Sequence, residues 1–257
     1  MIKSLISWAL KTIPRKYLQL FSHFVLRIMA LFYQGSKVHC PICEKQFRKF
    51  LPYGRESREN ALCPSCLALE RHRLLWLFLK RETDFFKSPL KMLHVAPELC
   101  FIDRFMAMKN LDYITADIES PLAKVKMDIH DIPFERNKFD VIFCNHVLEH
   151  VRDDHLAMTE ILRVLKPGGW AILQIPVFHP WRRETYEDPA ITDPKEREKA
   201  FGQDDHVRMY GQDYPERIRK AGFDVIEVDL VSRLEPAESE RFALPNEVIY
   251  MAAKPAS

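Results

Sequence analysis

From residue 90 to the carboxyl terminus the chain alternates short apolar runs with longer stretches of helical periodicity, and this alternation is the strongest constraint on its fold. Strands separated by amphipathic helices build a largely parallel sheet, because each return to the next parallel strand has to cross the sheet. The expected strands are Leu90–Ala96, Asp112–Ile118, Val125–Ile129, Phe139–Cys144 and Trp170–Ile175, with two late ones at Phe223–Val231 and Glu247–Ala253. A long helix is expected over Asn145–Leu165, with Asp153 and Asp154 near its start and Arg163 and Lys166 near its end. Lys166-Pro-Gly-Gly169 reads as a sharp turn into the fifth strand, and Ala221-Gly-Phe223 as a helix stop that runs into another.

The first third of the chain is different in kind. Residues 1–82 hold 15 Lys and Arg against 5 Asp and Glu, whereas the remainder holds 23 against 31. A net charge of +2 for the whole hides this asymmetry. The first acidic residue is Glu44. Ahead of it Ile2, Leu5, Ile6, Ala9, Leu10 and Ile13 recur at helical spacing up to Pro14, and a more apolar stretch follows from Tyr17 to Tyr33. Residues 1–36 are therefore expected to form an amphipathic basic helical hairpin. It either packs on the rest of the protein or lies on an anionic membrane surface. No apolar run reaches the roughly 18 residues of a spanning helix, and no secretory cleavage pattern follows Lys3. The expected location is the cytoplasm, with peripheral membrane attachment as the variant reading.

Cys40, Cys43, Cys63 and Cys66 follow the spacing Cys-x2-Cys-x19-Cys-x2-Cys. Two Cys-x-x-Cys turns separated by about 15–20 residues can put four thiolates on one tetrahedral zinc ion. Pro41 and Pro64 stiffen both turns alike. The competing readings are two buried reduced pairs or one redox-active pair. Residues 37–85 are thus expected to form a small zinc-ribbon-like module with an exit helix. Its interleaved basic and aromatic residues, Phe47, Arg48, Lys49, Phe50, Tyr53, Arg55 and Arg58, then Arg71, His72 and Arg73, suit either RNA or a solvated face.

Asp131-Ile-Pro-Phe-Glu-Arg-Asn-Lys-Phe-Asp-Val-Ile-Phe-Cys-Asn-His-Val-Leu-Glu-His-Val151, followed by Glu160-Ile-Leu-Arg-Val-Leu-Lys-Pro-Gly-Gly169, closely resembles the class I S-adenosylmethionine-dependent methyltransferases of the type 11 group. Asp205-His-Val-Arg-Met-Tyr-Gly211 and Ala221-Gly-Phe223 are similar to later segments of the same group. The resemblance covers about residues 90–254. It implies an α/β, Rossmann-like domain over 86–257, with a seven-stranded, mostly parallel sheet whose last strand is antiparallel, and S-adenosylmethionine as cofactor.

Carried over position by position, the resemblance makes Asp117, with Ile118 beside it, the acid for the ribose hydroxyls. The alternative for Asp117 is a carboxylate that caps a turn. Asp128 and Ile129 match the pair beside the adenine, while Asn145 and His146 either line the site or merely start the helix. Asp140, Glu149 and His150 are expected to be structural. The first motif departs from the family. Leu93-His-Val-Ala-Pro-Glu-Leu-Cys100 puts Ala96, Glu98 and Cys100 where three glycines are usual, and His94 where an acid is usual. Ala96 is nearly as small as glycine, Pro97 rigidifies the loop, and Glu98 brings a carboxylate toward the cationic end of the cofactor. Methyltransferase-like sequences with a similar His-x-Ala-Pro-Glu loop make this look like a subgroup variant. Only ten residues separate Asp117 from Asp128, too few for the usual intervening helix.

The function expected is methyl transfer to a small-molecule, sugar, lipid-linked or RNA acceptor. The rival is a non-catalytic scaffold that keeps the fold. No residue declares itself as a base: His146, His179, His206 and Tyr210 qualify by type alone. The sequence does not specify an oligomeric state.

Overall fold

A computed structural model describes residues 30–54 and 57–256. The expected amino-terminal hairpin lies outside the described residues up to position 29, and its last residues, from Gln34, already belong to a strand. The chain divides into two compact units. One comprises residues 1–82 with 231–246, and the other comprises 83–230 with 247–257.

The first unit is built on two small antiparallel hairpins. In one, β1 (Gln34–Cys40) pairs with β2 (Lys45–Phe47); in the other, β3 (Leu51–Tyr53) pairs with β4 (Arg58–Leu62). Helix α1 (Glu70–Glu82) follows, with Glu70 in its first turn and Lys80 and Arg81 in its last, matching the helix dipole at both ends. Val38, Ile42, Phe47, Phe50, Leu74 and Phe78 are buried here. The sequence assigns 86–257 to one domain, but residues 231–246 fall in this unit instead. Side-chain chemistry explains the departure. Arg73 of α1 donates to the Phe242 and Ala243 carbonyls, Arg81 pairs with Glu238, and the His39 ring meets Phe242 at 5.6 Å between centroids.

The second unit is a seven-stranded sheet flanked by helices. Its strands are β5 (Leu90–Val95), β6 (Leu111–Asp117), β7 (Val125–Lys126), β8 (Phe139–Cys144), β9 (Leu165–Ile172), β12 (Asp224–Val228) and β13 (Ile249–Ala253), while β10 (Tyr186–Glu187) and β11 (Arg208–Met209) form a separate antiparallel pair. Spatial order is β12-β13-β9-β8-β5-β6-β7. Only β13 runs against its neighbours, as the family resemblance implied. Alternation along the strands splits the core in two. Leu93 and Val95 share one face with Ile142 and Cys144, beside the buried residues of α3 (Asp154–Val164) and the later helix Tyr214–Lys220. The opposite face is aromatic: Phe143 and Trp170 meet Phe85, and α2 (Leu99–Met106) adds the stacked pair Phe101 and Phe105.

Several element boundaries depart from the sequence reading, the late strands among them, which shorten to Asp224–Val228 and Ile249–Ala253. The helix expected at Asn145–Leu165 is confined to α3, because His146 takes a left-handed φ of 54° that no helix accommodates and Asp153 caps the helix by accepting from the Leu156 amide. The third strand shrinks to two residues. The fifth begins at Leu165 and runs through the Pro-Gly-Gly segment, where Gly168 sits at φ 74°.

Candidate functional site

The switch point of the sheet lies between β5 and β8: from β5 the chain continues through α2 to β6 on one side, while β8 occupies the other. Crevices at the carboxyl ends of strands flanking such a reversal are where open α/β sheets bind ligands. Four polar residues converge there. His94, near the end of β5, is fully buried in the aromatic face, with Phe143, Phe105 and Phe101 around its ring. Its Nδ1 lies 2.7 Å from the Tyr113 hydroxyl and its Nε2 bonds Glu98. The second Glu98 oxygen accepts from Asn145 Nδ2 at 3.0 Å. Burial pushes the Tyr113 phenol well above its ordinary value, so its O–H stays on to donate to Nδ1. The hydrogen bonds then run in one direction, from Tyr113 through His94 to a Glu98 carboxylate held also by Asn145, and they tie β6, β5 and the end of β8 together.

The loop that carries Glu98 needs the conformation glycine usually supplies. Ala96 sits at φ 49°, in the left-handed region, with its amide donating to the Ala116 carbonyl at 2.9 Å. Glu98 is the residue that precedes α2, yet its side chain does not cap that helix and turns to His94 and Asn145 instead. A carboxylate thus stands at position 98, anchored by the histidine at position 94. Asn145 Oδ1 is buried and has no hydrogen-bond partner among the described residues. A buried acceptor of this kind calls for a donor from a ligand.

Asp117 ends β6. One of its oxygens accepts from the Glu119 and Ser120 amides at 2.8 and 2.6 Å, the turn-capping arrangement. Its other oxygen has no hydrogen bond among the described residues. Asp128 holds the His130 amide and ring through Oδ1, and the His130 amide bond leads the contacts that keep its carboxyl below the ordinary range. Ile129 is buried and Ile118 is exposed. Asp140 takes the Lys91 amide and the Lys166 ammonium, a structural anchor for β8.

Sequence reasoning treated Glu149 and His150 as structural residues of a helix. Both lie instead in the irregular segment between β8 and α3, fastened from the Asp205–Gly211 segment. Val207 donates to the Glu149 carbonyl, Arg208 donates to the carbonyls of Leu148, Val151 and Arg152, and the Tyr210 hydroxyl reaches Leu148 and Asp154. This role for Arg208 and Tyr210 has no signal in spacing or composition. Glu149 is 1% exposed. Burial works to raise its carboxyl, but the His146 contact and the His146 and His150 charges outweigh that and hold it below its ordinary value. Burial pushes the His206 imidazole down, toward the neutral form. Tyr210 is fully buried with its hydroxyl already engaged, which removes it as a base.

In the first unit the four cysteines come together. Their sulfurs all lie within 4.8 Å of one another, with Cys40 to Cys66 at 3.5 Å and Cys43 to Cys63 at 3.8 Å. Four sulfurs at about 2.3 Å from a tetrahedral zinc would be about 3.8 Å apart. The two turns match in backbone as well. Glu44 donates to the Cys40 carbonyl and Leu67 to the Cys63 carbonyl, and both donors are left-handed, at φ 57° and 62°. Hydrogen bonding within the crowded group and burial raise the Cys40 and Cys66 thiols far above their ordinary value. Four thiols packed this closely need a cation to become four thiolates.

Residues 93–173 match the family described as a methyltransferase domain, Methyltransf_11. The matched segment holds the switch point, from His94 and Glu98 to Asn145, Glu149 and His150. Sterol 24-C-methyltransferase erg6 of Schizosaccharomyces pombe is 34% identical across 41% of this chain and 27% of its own length. The demethylmenaquinone methyltransferase of Staphylococcus carnosus is 38% identical across 23% of this chain and 27% of its own. The chain therefore spans about a quarter of the length of these relatives, through the methyltransferase domain. Among solved structures the [4+2]-cyclase SpnF is similar at 15% identity and a TM-score of 0.50, covering 93% of this chain and 96% of that one. At that identity the likeness concerns the fold alone.

Proposed function

We propose that this chain is an S-adenosylmethionine-dependent methyltransferase whose cysteine-bearing unit holds a structural zinc ion. The observation that carries the reading is the anchored Glu98 carboxylate at the switch point, beside a left-handed Ala96. An intact site for a cationic ligand is what a chain kept only as a scaffold has no reason to maintain. His94 holds Glu98 in place, Glu98 and the unpartnered Asn145 Oδ1 face the cationic end of the cofactor, and Ala96 with Pro97 shapes the loop that passes it. Asp117, with Ile118 next to it, receives the ribose through its unoccupied oxygen, and Asp128 with Ile129 receives the adenine. His146 Nε2, a second buried polar atom without a partner, lies next to Asn145 in the chain and extends this edge. The bound cofactor supplies an electrophilic methyl group on a sulfonium. The chain's part is to align the acceptor with it and to keep water out.

The four cysteines fit zinc in ligand type, number and sulfur spacing, and a reducing compartment such as the cytoplasm suits six free cysteines. The excess of Lys and Arg in residues 1–82 favours an anionic partner, an anionic membrane surface or RNA. Phe47, Phe50 and Arg73 are core residues of the first unit, so that part of the basic and aromatic stretch does not face such a partner. No helix among the described residues is long and apolar enough to cross a membrane. Calorimetric titration with S-adenosylmethionine tests the cofactor reading: binding in the micromolar range that Asp117→Ala loses supports it. The absence of both heat and thermal stabilisation would move the reading to the scaffold.

A further inference from the structure

Glu149, His150 and His206 each offer one ligand atom, and the three atoms lie within 4.8 Å of one another. The hydrogen bonds around them are arranged as around a metal. His206 Nδ1 lies 3.1 Å from the Phe201 carbonyl, and His150 Nδ1 lies 3.3 Å from the Asp205 carbonyl and 3.4 Å from the Asp205 carboxylate. Such acceptors fix the proton on Nδ1 and leave Nε2 as the bare nitrogen, the usual outer-shell pattern of histidine ligands. His150 Nε2 lies 4.0 Å from Glu149 Oε1, too far for a hydrogen bond. His206 Nε2 and Glu149 Oε2 are buried without a hydrogen-bond partner among the described residues. His206 is 0% and Glu149 1% exposed, so neither atom has bulk water as a substitute.

An unpartnered carboxylate oxygen and an unpartnered imidazole nitrogen, both buried, cost free energy that an ion pair or a structural role would have removed. One cation between the three residues satisfies both. Metal–ligand bonds of about 2.1 Å span nearly this distance, and side-chain movements below 1 Å close the remainder.

We propose that Glu149, His150 and His206 bind one divalent first-row transition-metal cation, at a site separate from the four cysteines. Two imidazoles and a carboxylate select zinc, iron, cobalt, nickel or manganese over calcium or magnesium. Three protein ligands leave coordination positions open, and the half-exposed His150 edge is where a further oxygen ligand enters. Glu149 and His150 follow Asn145 and His146 within one loop, which places the cation on the segment that leaves the switch point. His146 Nδ1, at 3.4 Å from Glu149 Oε1, steadies the carboxylate oxygen that the cation does not take.

The test uses the full chain carrying one equivalent of zinc, which the softer thiolates retain, titrated with Co2+ by calorimetry and absorption. The wild type is expected to take up one equivalent, with the weak visible bands of nitrogen and oxygen ligation and no thiolate charge-transfer band. Glu149→Gln and His150→Asn, both near-isosteric, are expected to weaken uptake by about ten-fold or more while melting like the wild type without cobalt. His155→Asn, at an exposed histidine on α3, is expected to change nothing. No saturable uptake by the wild type, uptake accompanied only by thiolate bands, or equal affinity in the Glu149 and His150 variants would each overturn the proposal. Cobalt uptake is read without cofactor or acceptor, so this result is independent of the methyl-transfer reading.

Discussion

Arg73 and Ala243, 170 residues apart in the chain, are joined by a 2.7 Å hydrogen bond from the guanidinium to the Ala243 carbonyl. The same guanidinium donates to the carbonyls of Phe242, Asn60, Ala61 and Ala68 and stacks 4.2 Å from the centre of the Phe50 ring. It is fully buried, and among the described residues its hydrogen bonds all go to backbone carbonyls. Burial pushes its pKa down, and the nearby cysteines, Cys40 foremost, pull the other way. The proposed zinc ion on four thiolates would carry a net charge of −2, and the buried cation would then offset it.

Arg73→Lys should therefore unfold the first unit far more readily than its retained charge suggests. A lysine has no planar fork to divide among five carbonyls. A loss of about 3 kcal/mol is expected, the scale for breaking a buried, fully bonded charge. Thermal denaturation followed with limited proteolysis at residues 231–246 measures it.

Removing zinc should have a selective signature in thiol reactivity. Cys40, Cys43, Cys63 and Cys66 should become reactive together after chelation, while Cys100 and Cys144, buried in the second unit, stay protected. Counting modified cysteines by mass spectrometry before and after chelation gives the answer. Protection of all six in metal-free protein would remove the zinc reading.

Ala96→Gly should stabilise the second unit by about 0.5–1 kcal/mol, because φ at this position is left-handed and glycine has no Cβ to object. It should leave cofactor affinity nearly unchanged. Glu98→Gln keeps the shape but removes the charge, and should weaken S-adenosylmethionine binding by about ten-fold, the scale of one charge-assisted contact. Calorimetry on the two variants separates loop shape from charge.

Asp154 supplies the pH prediction. Burial works to raise its carboxyl, but the Arg217 hydrogen bond, the Arg208 and Arg217 charges and the Tyr210 hydroxyl outweigh it, so the folded pKa lies below the ordinary 3.8. An unfolded chain takes up this proton first as pH falls. The stabilisation is complete above about pH 5 and is lost as pH drops through the folded value. Melting temperatures of wild type and Asp154→Asn should differ most near neutrality and converge in acid. A constant gap down to pH 2 would show that Asp154 is not the group responsible.

Most of the sheet was legible in the sequence, since periodicity and the sequence resemblance both report on strands that are buried on two faces. Phe139–Cys144 matches to the residue. The loop after it was not legible, because Asn145–Val151 has the composition of a helix start and the left-handed His146 that prevents a helix is held by a tertiary bond, from its amide to the Gln174 carbonyl. Glu98 was legible as an unusual carboxylate in the first loop. Its partner was not: His94 looked like a substitution for an acid, and only the side-chain geometry shows that it positions one. Cysteine spacing carried the zinc reading because ligand separation along the chain is itself geometric. The assignment of residues 231–246 had no local signal, since the carbonyls that Arg73 uses are backbone atoms, which every residue has.

The chain enters the cysteine-bearing unit twice, the second time between the last two strands of the sheet. No single cut releases both units whole. A fragment ending at residue 82 would lack the Phe242 and Ala243 carbonyls and strand two of the buried Arg73 bonds, while one beginning at residue 83 would carry sixteen residues folded for a neighbour it no longer has. The cysteine-bearing unit is therefore drawn from two separate stretches of the chain, and excising either stretch alone leaves it incomplete.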